Sequence, residues 1–592
     1  MTEPAADLTE YEAAEAAWGH SEIRPERWLC GPWAMERRGD ELADIAFDGS
    51  PVLRMIRAVV RDRDWNTVPV SVEAAEHAED GLQLQLHFEG FGGRFEGSMT
   101  LRADTGQLQV RLDLEALQDF ERNRIGLVVL HPPGVAAAKL TVGHPDGSAT
   151  ETSFPERIAP HQPAMDIATL GWSLDGVASE ARFSGEVFEM EDQRNWTDAS
   201  FKTYSTPLRL PFPVLVRAGE RIQQAITLRS ARVAPPASEP TPGIVTFRES
   251  GQTVPELAVG ASTAAGPVPD AARTAPGGAI LVELIVATPN WRAALERAVD
   301  EADGRPLDVR IVAASAGEVE SALDVLAGSA PPLTRLSVYS PHTSVSEPDL
   351  WAALRDGARR RGVRADLLGG ARSHFTELNR RHQDLPPDLP ALTFSITPEM
   401  HATERSQLVE SIAMQRLVAE NAVRIGAGRP VHIGPVTLRA RYNAVATTPL
   451  SAGGDATVDR GYGAELVPEA TDPRQRSGAL AAWTVASAAA LAVQGVASIA
   501  YFESWGARGV LDQRGEPYPV AGALRDLAEL AGNRQLDVSG LPPGIWALAA
   551  RTPAGVIALL ANLRSTPAGA QVQGAGAVEL APLSYVRLAL PA

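Results

Sequence analysis

The 592-residue chain predicts a multidomain protein of α/β and β class: a central (β/α)8 TIM-like barrel, flanked by an N-terminal β-sandwich and a small C-terminal β-sandwich. Three observations carry this. Residues 20–233 alternate apolar and polar side chains with period two. Between 255 and 503, eight short apolar runs alternate with amphipathic helical stretches. After Gly532 the helical period stops and strand-like runs return.

In the first region Leu82, Leu84, Leu86 and Phe88 alternate with Gln83, Gln85 and His87. Leu108, Val110, Leu112 and Leu114 alternate in the same way with Gln109, Arg111 and Asp113. One apolar and one polar face is the pattern of antiparallel strands wet on one side. Asp104-Thr105-Gly106 supplies a turn between two strands. Residues 125–130 form a wholly apolar strand, and 183–190 read as one extended run. Residues 234–243 hold four prolines in ten positions, a stiff linker. The expected boundaries are 1–233 for the sandwich, 234–243 for the linker, 244–532 for the barrel and 533–592 for the C-terminal domain.

Barrel strands are expected at 255–261, 279–286, 306–313, 333–340, 364–370, 391–397, 430–438 and 497–503. Leu295, Ala298, Val299 and Ala302 space one helical stripe; Val319, Ala322, Leu323 and Leu326 space another. Ser346-Glu347-Pro348 opens a further helix with a cap and an early proline. Residues 403–425 make a helix burying Val409, Ile412 and Ala413. A doubly wound parallel sheet satisfies the same alternation and stays open as the alternative. The C-terminal strands are expected at 545–550, 556–562, 577–580 and 585–588.

The totals exclude several classes. A net charge of -19 (54 basic, 73 acidic), spread along the chain, argues against nucleic acid or an anionic membrane as partner. It suits a small neutral sugar or sugar lactone. Cys30 is the single cysteine, so neither an internal disulfide nor a Cys-x-x-Cys metal site is available. The acidic, alanine-rich first twenty residues lack the basic and apolar regions of an export signal, so a cytoplasmic location is expected. Residues 477–502 carry no formal charge over 26 positions, but alanine dominates and Gln494-Gly495 divides them. They read as a buried helix and strand rather than a membrane span.

Chemistry concentrates in two places. Residues 189–204 pack four carboxylates, two cations and three aromatics into sixteen positions after an apolar run. Aromatic, arginine and carboxylate groups together resemble a polyol-binding wall, and this segment is expected to reach from the first domain to a site on the barrel. The second place is the carboxyl ends of the barrel strands, where barrel enzymes build their sites. They carry His374-Phe375-Thr376-Glu377, Thr397-Pro398-Glu399-Met400-His401, His432 with Arg439 and Arg441, and Glu503-Ser504-Trp505. Arg439 and Arg441 flank Ala440, so at most one points into the barrel. His401 and Glu404 have His-x-x-Glu spacing, a weak metal signal, and no metal or cofactor is expected. No Gly-x-Ser-x-Gly elbow, phosphate loop or Gly-x-Gly-x-x-Gly is present. Carboxylate and histidine chemistry on a neutral substrate remains, either ester or lactone hydrolysis or glycoside hydrolysis.

The run from Glu191 to Tyr204 (Glu-Asp-Gln-Arg-Asn-Trp-Thr-Asp-Ala-Ser-Phe-Lys-Thr-Tyr) resembles a signature of the bacterial D-apionate lactonase (D-apionolactonase) family. So do Phe375-Thr376-Glu377-Leu378-Asn379-Arg380, Pro435-Val436-Thr437-Leu438-Arg439 and Asp472-Pro473-Arg474-Gln475, in the same order. The resemblance implies a barrel between β domains and hydrolysis of D-apionolactone to D-apionate in apiose catabolism. It carries over no residue roles; those rest on position. Glu377 or Glu503 is expected as base for water, with the other, or His401, as acid for the ring oxygen. Arg439 and His432 are expected to hold the carbonyl oxygen. Glu191, Asp192, Arg194, Asn195 and Trp196 are expected to grip the hydroxyls, with Asn379, Tyr339 and Trp505 completing the binding wall. The alternative function is a glycoside hydrolase using the paired glutamates on a furanosyl or other pentose-containing substrate.

Overall fold

The computed structural model describes residues 5–78, 80–236, 243–329, 331–444, 456–463 and 470–590. Most of the proline-rich linker (237–242) and parts of the long loop after the seventh barrel strand (445–455 and 464–469) lie outside them.

Period-two alternation builds the N-terminal domain from two nine-stranded antiparallel sheets. Leu82, Leu84, Leu86, Phe88, Leu108, Val110, Leu112 and Leu114 all point into the shared core. The first sheet runs Glu26–Cys30, Trp33–Arg38, Glu41–Phe47, Ser50–Asp62, Phe120–His131, Phe201–Tyr204, Phe188–Asp192 and Ala164–Ile167, with Val214–Val216 beside Phe120–His131. Its inner face packs on the second sheet. Its outer face is not bare: it presents Glu41, Arg57, Arg61, Arg124, Glu191 and Lys202 toward the barrel.

The expected single run over 183–190 is two strands in two sheets. Val177–Ser184 belongs to the second sheet and Phe188–Asp192 to the first. Gly185 makes the crossing possible. It sits at φ +92, and a Cβ there would lie 2.1 Å from the Gln223 carbonyl oxygen. This crossing delivers Glu191 and Asp192 to the outer face.

Eight parallel strands close the barrel: Glu256–Gly260, Ala279–Ile285, Leu307–Val312, Leu333–Tyr339, Asp366–His374, Leu392–Ile396, Val431–Val436 and Val496–Trp505. The last pairs back onto the first, which excludes the doubly wound alternative. A short ninth strand, Gly509–Leu511, follows the eighth. Residues 477–502 are the buried helix Gly478–Leu491 and the start of the eighth strand. Among the described residues no helix is long and apolar enough to cross a membrane.

Local packing departs from the expected stripes at three positions. Val299 and Ala413 face solvent and Val409 is only half-buried. The helix Arg405–Gly426 buries the expected Ile412 together with Leu408, Gln415 and Val418, and its polar Gln415 accepts from Ser487 in the barrel shell.

Two segments belong elsewhere than the expected boundaries put them. Ile244–Thr253, counted with the barrel, pairs with Arg534–Ser539 and Ala568–Val572 as part of the C-terminal seven-stranded sheet. The N-terminal helix Ala5–Trp18, counted with the sandwich, seats Trp18 in the barrel core.

Replacing Gly185 by Ala is expected to destabilise the N-terminal domain by about 1–3 kcal/mol, through both the positive φ and the clash. A lowered urea midpoint with an unchanged slope is the readout.

Candidate functional site

The polar run leaves the first sheet at Asp192 and enters the 3-10 turn Gln193–Trp196. Asp192 caps that turn, accepting from the Arg194 amide, and also accepts from the Ala159 amide at 2.9 Å. Its carboxylate pairs with the Arg194 guanidinium at 2.8 Å, with both side chains essentially dry. Arg194 further donates to the carbonyls of Pro155, Glu156 and Arg157 and lies 4.3 Å over the Phe201 ring. Two buried charges are tolerable because every polar atom of the pair has a partner.

The turn docks on the barrel. Asn195 Oδ1 accepts from Asn379 Nδ2 at 2.9 Å, and Thr376 Oγ1 donates to the Asn195 carbonyl at 3.1 Å. Asn379 also donates to the Ile158 carbonyl. Asn195 and Asn379 thus fasten the two domains, while Asp192 and Arg194 brace the turn from within the first domain; all four are used by protein partners rather than gripping hydroxyls.

Beyond the fastening the next residues face a cavity of about 1040 Å³ between the outer face of the first sheet and the loops after barrel strands six and seven. His401 Nδ1 lies 2.8 Å from Asp198 Oδ2, and Gln407 donates to the other Asp198 oxygen at 3.1 Å. A carboxylate only accepts, so in the neutral ring Nδ1 carries the proton and Nε2 is free to take one. The Trp196 ring meets the imidazole edge-on at 5.2 Å, and Arg380 sits 5.0 Å over the other side of Trp196.

Glu191 pairs with Lys202 at 2.6 Å and Arg380 at 3.3 Å. Burial alone would raise its pKa. The two cations, with His401 adding to them, bring it down to about 2. Glu399 behaves oppositely. Burial, with Asp472 adding to the rise against Arg474 and Arg439, pushes it up to about 9, so it is a neutral acid at pH 7. Asp472 keeps the charge of this carboxyl pair: burial would raise it, but Arg474 and the bond to Glu399 hold it well below the usual range. Arg439 touches both carboxyls, at 3.1 and 3.0 Å. Of the expected site residues, Glu191, Trp196, His401 and Arg439 line this cavity.

The others do not. Glu377 is the third residue of the helix Phe375–Arg381 and accepts from the His374 amide at 3.1 Å as half of a capping box. Glu503 accepts from the Thr263 amide and hydroxyl and pairs with Arg508 at 3.0 Å. His432 lies low in the barrel, bonded to Ser498 at 2.8 Å, and burial, with Arg335 assisting, drops its pKa to about 4. Tyr339 is fully buried, and Trp505 is buried with Arg297 4.8 Å over its ring. Glu404 does line the cavity, but it precedes its helix as the cap residue, so the His-x-x-Glu spacing does not share a helical face with His401.

Inside the barrel Glu283 pairs with Arg372 at 2.6 Å and with Arg441 at 3.1 Å, so Arg441 is the arginine of the pair that points inward. Lys202, Asp198, Arg380 and Glu399 were missed as candidates. Lys202 had a signal: it is one of only two lysines in the chain, the other being Lys139, where arginine supplies nearly every other basic group.

A family model described as the D-apionate lactonase N-terminal domain matches residues 13–233, and one described as the D-apionate lactonase TIM barrel domain matches residues 261–532. The chain belongs to the D-apionate lactonase family. That family makes it a lactonase, a carboxylic ester hydrolase. A relative named D-apionate lactonase from Brucella anthropi is 26% identical over 627 residues, covering 96% of this chain and 97% of that one. Among solved structures, a galactose mutarotase-like protein from Lactobacillus casei is 10% identical with a TM-score of 0.27, covering 35% of this chain and all (100%) of that one. The GH36 α-galactosidase AgaA from Geobacillus stearothermophilus is 8% identical with a TM-score of 0.26, covering 95% and 99%. Similarity at these scores adds nothing to the site.

Arg194→Leu is expected to cost about 3–5 kcal/mol, because it strands the buried Asp192 carboxylate. Chemical denaturation of the variant reads this directly.

Proposed function

We propose that the protein opens the 1,4-lactone ring of D-apionolactone to D-apionate, with the chemistry in the cavity between the first sheet and the barrel. The observation that carries this reading is that one cavity is lined both by a histidine oriented as a base and by a carboxyl kept neutral as an acid.

His401 Nε2 takes a proton from water as the water attacks the lactone carbonyl. Asp198 holds the ring in that tautomer and favours the imidazolium that forms. Negative charge grows on the carbonyl oxygen, and Arg380 and Arg439, already fixed by Glu191 and by Glu399 with Asp472, are the cations available to meet it. Collapse of the tetrahedral intermediate expels the ring oxygen, which Glu399 protonates. The product is a carboxylate, and a cavity lined by eight Lys or Arg side chains against six Asp or Glu suits it, despite the acidic chain as a whole. The glycoside hydrolase alternative needs Glu377 and Glu503 facing each other across a substrate, and neither lines this cavity.

His401→Ala is expected to lower kcat by about 10²–10⁴ with the fold intact. Glu399 must be protonated to act, so kcat should fall as pH rises through about 9. Glu399→Gln should lose about 10²-fold in kcat and flatten that alkaline limb. Proton release from fresh D-apionolactone in weak buffer measures all three. Wild-type rates in both variants would overturn the assignment.

A further inference from the structure

The cavity is longer than its acid–base centre requires. Its floor is the outer face of the first sheet, whose side chains fall in cross-strand rows. Glu191 faces Lys202, which faces Leu130, which faces Met55. Arg61 faces Arg124 six residues farther along the strand Phe120–His131. At 3.3–3.4 Å per residue, that second row lies about 20 Å from the Lys202 row. A five-carbon lactone, with at most four carbon–carbon bonds of about 1.5 Å in line, is at most about 6 Å long. It cannot span the backbones of both rows, although across the floor Glu191 is the strongest charge acting on Arg61. The volume of about 1040 Å³ is likewise at the upper end of what drug-sized ligands fill.

The far end is built unusually. Arg61 and Arg124 are directly opposed like charges, an arrangement that opposes strand pairing. Every other arginine on this floor has a carboxylate, as Arg57 has Asp40 and Glu41 and Arg54 has Glu410. Arg61 and Arg124 have none within ion-pair distance among the described residues. Arg61 donates to the Trp65 carbonyl at 3.1 Å. Arg124 is buried, donates to the carbonyls of Asn123 and Pro207, and has no hydrogen-bond partner for its buried Nε.

Two aromatic residues lining the same cavity hold backbone conformations that bulky side chains avoid, Trp65 at φ 69 and Phe91 at φ 50. Trp65 is held there by Asp62, whose carboxylate accepts from the amides of Asp64 and Asn66 and from the Asn66 side chain at 2.8–2.9 Å. Its ring lies 5.5 Å from the Arg124 guanidinium. Both aromatics line the cavity. Strain maintained by a dedicated turn at a cavity wall marks a functional surface.

We infer that Arg61, Arg124, Trp65 and Phe91 form a second subsite, six residues farther along the floor than the Lys202 row, that binds an anionic sugar. The aromatic faces take the ring and the guanidinium pair takes the charge. A sugar carboxylate and a sugar phosphate offer the same chemistry to this pair, and they can be separated by experiment. The inference does not depend on the lactone reading, because it concerns binding alone.

Isothermal titration of the full-length protein with D-galacturonate, D-glucose 6-phosphate and neutral D-galactose tests it. One of the two acidic sugars should bind at one site per chain, naming the anion, while galactose gives no heat at the same concentration. Arg61→Gln should weaken that binding about tenfold or more, the loss of a charge-assisted contact. Phe91→Asn should weaken it as well. Asn is at ease at φ 50, so this variant removes the ring while relieving the backbone, and misfolding cannot explain its loss. His401→Ala should leave the affinity unchanged. Absence of binding by both acidic sugars, equal affinity in Arg61→Gln, or loss in His401→Ala would each overturn the subsite.

Discussion

The buried pair of Asp192 and Arg194 is the joint on which the site depends. It turns the chain out of the first sheet and fixes the 3-10 turn whose Asn195 locks onto Asn379 and Thr376 of the barrel. Asp198 follows three residues later, rigidly referenced to the barrel, and only then can its carboxylate meet His401 at 2.8 Å. The proposed base, assembled from two domains, therefore owes its geometry to an ion pair outside the cavity lining. Burying such a pair gains little net stability by itself. Its value here is positional, since a dyad displaced by an ångström loses most of its effect.

The electrostatics of the cavity follow from how its charges are shared out. Glu191 is held ionised between Lys202 and Arg380, whereas Glu399 is dehydrated beside Asp472 and stays protonated at neutral pH. One carboxyl fixes cations and the other keeps a proton to give. Inside the barrel, Glu283, Arg372 and Arg441 form an ion cluster of their own. In the proposed reading the chemistry lies at the seam between domains, where the sheet face supplies a floor and the strand-end loops supply a wall.

Much of this was legible in the sequence. Period-two alternation found the sandwich, eight apolar runs found the barrel, and the density of charge in 189–204 found the segment that bridges them. His401, Arg439, Glu191 and Trp196 were picked out by type and position. The misses share a cause. Glu377, Glu503 and His432 sit at plausible places along their strands or helices, but partners distant in sequence, such as Arg508 and Ser498, consume their polar atoms. Asp192, Arg194, Asn195 and Asn379 do sit together, yet a run of polar residues does not say whether it meets solvent, substrate or another domain. Glu399 was invisible as an acid because its neutrality comes from burial and from Asp472, 73 positions away in sequence.

The most direct test of the account is a crystal structure with D-apionate bound. The sugar acid should lie in the cavity between the sheet and the barrel, its carboxylate against Arg380 or Arg439 and within hydrogen-bond reach of His401 Nε2. Density for the ligand beside Glu503 or over the Glu283–Arg372 cluster, with the cavity around His401 filled only by water, would contradict it.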